Sequence, residues 1–102
     1  MSKDNLQSNT LELFEKLKKI KLNTLGVLQT TNEQMVLADL QKKTAKLAGA
    51  IGKEPKAKLL EYHEAVAAGI DTAGLLGIIS NDELDSYYKL IDNIWKYIEK
   101  EK

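Results

Sequence analysis

The chain has 102 residues, with 15 basic and 15 acidic side chains and no net charge, a size that suits one small domain around one core. Every basic residue is Lys. The bidentate guanidinium fork is therefore unavailable, and so is the commonest reader of guanine edges, which argues against nucleic acid as a partner. With no Cys and a single His, disulfides, thiol chemistry, iron–sulfur clusters and a His-rich zinc site are excluded.

A first helix is expected over residues 8–22. Leu6, Thr10, Leu13, Leu17 and Ile20 recur at steps of four and three, which makes one seam. Leu11 and Phe14 widen it, and Ser8 and Asn9 are good N-cap types. In residues 21–30, Leu22, Leu25, Val27 and Leu28 are interrupted by Asn23 and Gly26. This reads as a connection whose leucines cover the end of a bundle, the alternative being a first helix continued to Leu25.

A second helix is expected over 31–51, opened by a capping box of Thr30 with Glu33 or Thr31 with Gln34. Its seam is Val36 or Leu37, then Leu40, Thr44, Leu47 and Ile51, and Gly52 stands where a left-handed C′ residue belongs. A third helix, over 55–72, has Pro55 at its first helical position. Its seam is Leu59, Tyr62, Val66, Ile70 and Ala73, and the small residues Ala65, Gly69 and Ala73 suit close helix packing. At Asp71-Thr72, a capping pair inside an apolar run, the helix is expected to end or kink. Leu75, Leu76, Ile78 and Ile79, with Gly74 and Gly77 between them, then read as a last turn or two closing the bundle end.

A fourth helix is expected over 81–100. Ser80 and Glu83 form a capping box, and Ile79 and Leu84 occupy the positions of a hydrophobic staple. Leu84, Tyr87, Ile91, Ile94 and Ile98 make its seam. Four amphipathic segments on short connections, without strand alternation, predict an all-α, antiparallel up-down-up-down four-helix bundle.

No catalytic, cofactor or metal site is expected. His63 follows Glu61 by two residues, which is not the Glu-x-x-His spacing of di-iron bundles, and it reads as an exposed His on a charged face. Asp39 and Asp92 fall on polar helix sides, Asp71 reads as a cap, and no Ser pairs with a His base. Gly74-Leu75-Leu76-Gly77 lacks the phosphate-loop pattern. The chain is therefore read as a non-enzyme.

The balanced charge is unevenly placed. Residues 1–55 carry nine Lys against six acids, and residues 56–102 carry six Lys against nine acids. Lys16, Lys18, Lys19 and Lys21, with Lys42, Lys43 and Lys46, read first as a solvated face and second as a contact for an anionic membrane surface.

Five of the six aromatic residues lie in the C-terminal half. At 100° per residue from Ile91, the seam of the fourth helix lies within about 60°; Tyr88 and Trp95 stand at about +60° and +40°, Leu90 and Tyr97 at about −100° and −120°. Leu90 and Tyr97 thus fall beyond the seam, unless they pack on a neighbouring helix. Tyr88, Leu90, Trp95, Lys96 and Tyr97 are the candidate partner-contact residues.

The third helix, rich in small residues, leads through Gly77-Ile78-Ile79-Ser80-Asn81-Asp82-Glu83-Leu84 into a fourth helix with Leu90-Ile91 in its middle. This pattern resembles the immunity proteins of pediocin-like (class II) bacteriocin producers, the enterocin A immunity group. The resemblance implies a cytosolic protein that protects a bacterium from a pore-forming peptide. It would engage the peptide's receptor, the mannose phosphotransferase permease, at the inner membrane face. It implies no catalytic residue, and it places the choice of peptide in the C-terminal half. The polar start Met1-Ser2-Lys3-Asp4-Asn5, with no apolar stretch of signal-peptide type after it, fits a cytosolic expectation with peripheral membrane contact. The competing reading is another non-enzymatic helical adaptor, from a phage or toxin system, dimeric through the Leu90/Tyr97 flank.

Overall fold

The computed structural model describes residues 2–20 and 31–100. Four helices form, α1 (Ser2–Lys18), α2 (Thr31–Ala50), α3 (Lys56–Leu75) and α4 (Asn81–Glu99), and there is no strand among the described residues. Each packs on its chain neighbours, and α1 also closes on α4, while the diagonal pairs do not touch among the described residues. Contacts run in opposite senses along neighbours. Lys46 meets Tyr62 and Leu40 meets Gly69 across α2–α3. Lys56 meets Glu99, His63 meets Ile91 and Gly74 faces Leu84 across α3–α4. The C-terminal end of α1 meets the start of α4 through Lys16 and Tyr87. The result is the expected antiparallel four-helix bundle.

The seams on α1 and α2 are buried as their spacing predicts. Leu6, Thr10, Leu13 and Leu17 on α1, and Leu37, Leu40, Thr44, Leu47 and Ile51 on or beside α2, reach the core, while Val36 is half-buried and Leu11 faces outward. The two buried threonines keep their hydroxyls satisfied within their own helices. Thr10 donates to Leu6 O at 2.7 Å, and Thr44 to Leu40 O at 2.8 Å. Gly69 lets α2 and α3 approach closely, since a Cβ there would lie 2.7 Å from Leu40 Cδ1.

Several boundaries differ from the sequence expectation. α1 begins at Ser2, not near Ser8, and so carries the fully buried Leu6 inside the helix, one turn before Thr10 on the same seam. Asn9 is inside the helix and its amide donates to Asn5 O at 2.7 Å instead of capping. Asp4 in the first turn favours the early start through the helix dipole. α1 ends at Lys18, not at 22, in a tightened turn where Lys19 N–H reaches Lys16 O and Ile20 N–H reaches Leu17 O. The connection 21–30 with its leucines, Lys21, and the capping side chains of Thr30 and Thr31 lie outside the described residues.

α2 stops at Ala50, and Gly52 takes the expected left-handed conformation, φ 82°. Pro55 is the N-cap of α3 and not its first helical residue, with φ −68° and ψ 162°; its carbonyl accepts from Lys58 and Leu59. α3 then continues through Asp71-Thr72 to Leu75, past the expected end at 72. Thr72 donates back to Ala68 O at 3.1 Å, so its hydroxyl does not compete for a cap. The stop comes at Gly77, φ 77°: Ile78 N–H donates to Ala73 O at 2.9 Å and Gly77 N–H to Gly74 O at 3.2 Å, a Schellman ending.

Of the four apolar residues there, Ile78 and Ile79 turn into the core and close the bundle end, whereas Leu75 and Leu76 face outward. Ser80 is the N-cap of α4, but its hydroxyl makes no capping bond. The Ser80–Glu83 box is therefore not formed, and only the Ser80 carbonyl is used, by Glu83 and Leu84 N–H. α4 ends at Glu99, with Lys100 as C-cap.

Because the Thr44 hydroxyl serves only a carbonyl inside its own helix, Thr44→Val should be neutral or stabilise by up to about 1 kcal/mol. Thr44→Ser, which removes a buried methyl, should destabilise by about 1 kcal/mol. Urea unfolding of the three proteins measures both; a marked loss in the Val variant would show that the hydroxyl holds more than Leu40 O.

Candidate partner-binding surface

α4 must cover both α1 and α3, and this sets its rotation. The residues it buries are Tyr87, Leu90, Ile91, Ile94 and Ile98. Their arc runs from Ile91 toward Leu90 and is centred at about −50° from Ile91. The sequence reading centred it on Ile91 itself, and two placements change as a result. Leu90 is 7% exposed and belongs to the core, so it is not available to a partner. Tyr97 is half-buried against the core, at the inner border of the arc. Tyr88 and Trp95, on the opposite border, are 39% and 44% exposed. Lys96 is exposed and paired with Asp92 at 3.1 Å. Of the five candidates, the fold therefore brings Tyr88, Trp95 and Lys96 to the open surface.

Tyr88 is held against α3: its hydroxyl donates to Asp71 Oδ1. Asp71 is thus neither a cap nor a helix breaker but an exposed acceptor one turn before Leu75. The bond to Asp71 raises the Tyr88 pKa above the usual phenol value, with burial and the carboxylate charge adding to the effect. Tyr87, on the inner face, donates to Lys16 O at 3.3 Å and lies under the Lys16 ammonium, 4.9 Å from the ring centre. Its pKa is also raised, by burial first and the nearby Glu83 charge second.

His63 is the residue that the sequence reading misplaced most. It is 8% exposed, not on an open charged face, and its Nε2–H donates to Ile91 O at 2.9 Å, linking α3 to α4. A signal for this was present. Leu59, His63, Val66, Ile70 and Ala73 follow steps of four, three, four and three, a more regular seam than the one through Tyr62, which is half-buried. His63, Leu60, Glu64 and Ala67 from α3, with Trp95 from α4, line an open groove of about 350 Å³. No group of three His, Cys, Asp or Glu converges as metal ligands among the described residues.

The basic cluster is partly engaged. Lys18 pairs with Glu15 at 3.5 Å and lies over the Phe14 ring, and Lys16 is held over Tyr87, while Lys19 is exposed. On α2, Lys43 pairs with Asp39 at 2.7 Å, Lys46 lies over Tyr62, and Lys42 is exposed. No described helix is long and apolar enough to cross a membrane. Compared with known proteins, the chain matches no family model, no curated protein and no solved structure.

Leu90→Ala should cost about 2–4 kcal/mol, as a buried leucine, whereas Trp95→Ala should cost about 1 kcal/mol or less, as a half-exposed side chain. Denaturant unfolding compares them, and equal costs would place Trp95 in the core. Both tyrosines ionise less readily folded than unfolded. Their contribution to stability is therefore fully present below about pH 10 and is lost as pH rises through the raised folded values. The melting temperature should fall in that alkaline range, and Tyr88→Phe should remove part of the fall. An unchanged alkaline profile in that variant would mean that the Asp71 bond does not persist in solution.

Proposed function

We propose that this chain is a bacteriocin immunity protein. It is a non-enzymatic bundle that protects its cell from a pore-forming class II peptide by contact with the peptide–receptor complex at the inner membrane face. The observation that carries the reading is the pair of aromatic side chains, Tyr88 and Trp95, left open on α4 beside α3. Aromatic groups at a surface are favoured binding anchors because they bury a large area at small rotamer cost. They fall on the half of the chain where the sequence resemblance places peptide choice. The resemblance also supplies the receptor, the mannose phosphotransferase permease, and the cytosolic location. Binding alone suffices for such protection: a complex held shut needs no bond made or broken. Lys19 and Lys42, exposed, and Lys18, weakly paired at the surface, are available to anionic lipid headgroups at roughly 1 kcal/mol per Lys.

Expression of the chain in a sensitive strain should raise the inhibitory dose of a cognate class II peptide by about tenfold or more. Tyr88→Ala and Trp95→Ala should each lower that protection while leaving the fold intact by circular dichroism. No rise for the cognate peptide overturns the immunity reading; full protection by both variants removes the aromatic pair from it.

A further inference from the structure

We propose that the groove between α3 and α4 is a docking site for a cationic amphipathic helix, which it holds by an apolar floor and two unpaired carboxylates. This deepens the immunity reading, since it rests on the same α3–α4 face being the contact surface, and it names the chemistry of what lies there. The floor is Leu60 and Ala67 from α3 with Trp95 from α4, and the exposed ring of Tyr88 lies one heptad before Trp95 on the same side of α4. The rim is acidic on both sides. Glu64 and Asp71 stand on α3, seven residues and thus about 10 Å apart. Neither forms an ion pair among the described residues.

On α4 the rim carries Asp85 and Asp92, each already neutralised by a lysine one turn on, Lys89 at 3.5 Å and Lys96 at 3.1 Å. The unbalanced negative charge therefore belongs to Glu64 and Asp71. Tyr88 takes one oxygen of Asp71 and leaves the other for a guest. Exposed apolar surface next to uncompensated carboxylates is complementary to an apolar stripe flanked by ammonium groups. The groove lining spans Leu60 to Ala67 on α3, and the Tyr88–Asp71 bond lies further along the same α3–α4 side. From Leu60 to Asp71 is about 16 Å along the helix axis, the length of a helix of about 11 residues. A guest with lysines seven residues apart on the flank of a leucine stripe matches the spacing of both carboxylates.

A foreign helix fits the groove better than a second copy of this chain, because each of the four helices already buries its apolar stripe in the bundle core and has none left to lay in the groove.

Trp95 is the sole tryptophan, so its emission reports on the groove directly. The probe is an acetylated, amidated 18-residue peptide of Leu, Ala and Lys, with an apolar stripe and lysines seven residues apart. A second peptide of the same composition has its order scrambled so that no stripe forms. The ordered peptide should shift Trp95 emission to the blue and saturate at one peptide per chain. Glu64→Gln with Asp71→Asn should weaken binding about tenfold, and the scrambled peptide should bind at least tenfold more weakly than the ordered one.

An unmoved emission, equal affinity for the neutralised variant, or equal binding of the scrambled peptide overturns the proposal. So does a dimer of the chain alone, seen by sedimentation, with Trp95 already blue-shifted, which would make a second copy the occupant. The two readings fail separately. Protection of cells by a chain that leaves the ordered peptide unbound overturns the groove and leaves immunity standing. Peptide binding by a chain that protects no cell overturns immunity and leaves the groove.

Discussion

Exclusion of water from one apolar stripe on each of four helices is the constraint on which the remaining structure depends. Helices of 17 to 20 residues are marginal when isolated, and it is the burial of an amphipathic face that holds them. The stripes meet in one cluster, with Leu13, Leu17, Leu47, Val66, Ile70, Ile94 and Ile98 fully hidden. Among the described residues the buried polar side chains are Thr10, Thr44 and His63, and each makes a hydrogen bond to a backbone carbonyl. Thr10 and Thr44 bond inside their own helices, and His63 bonds across to the backbone of α4.

The rotation of α4 connects that core to the surface. Its large side chains cover about 180° of the helix circumference, from Tyr97 round to Tyr88. Packing on α1 and α3 hides only part of that arc, so one border had to be left open. The border left open carries Trp95 and Tyr88. Leu90 fills the core in their place, and its neighbour Ile91 gives its carbonyl to His63. The His63 bond, the Tyr88–Asp71 bond and the Lys56–Glu99 pair all join α3 to α4. The open aromatic groups therefore sit on a seam fastened at several levels, which suits a surface that must present side chains in a set geometry.

Charge is arranged on the same division. Lys16, Lys43 and Lys46 on the α1–α2 side are held by an acid or by aromatic rings while Lys19 and Lys42 are exposed, and Glu64 and Asp71 on α3 lack lysine partners among the described residues. A chain with no net charge in this way carries a local negative field beside its exposed aromatic groups. Field sign and apolar area at one place confer partner selectivity more than either does alone, since the wrong charge is rejected as strongly as the right one is attracted.

The sequence by itself determined the number and kind of elements, the antiparallel order, the seams of α1 and α2, and the left-handed glycine at 52. These are local matters: the spacing of apolar residues marks a helix face, and a residue without Cβ is the natural occupant of a positive φ. The tertiary structure alone decided which border of α4 is buried, because an arc wider than the contact it makes leaves the choice to the neighbouring helices. It moved His63 from an expected surface to the α3–α4 contact, where Ile91 O, a group far along the chain, supplies the partner that makes its burial affordable. It began α1 before its best capping residues, with Asp4 in the first turn and Leu6 continuing the buried seam of Thr10, Leu13 and Leu17. It also carried α3 through Asp71-Thr72, where Tyr88 and Ala68 O take the polar groups that would otherwise have ended the helix. In each case the deciding atoms lay outside the reach of local pattern.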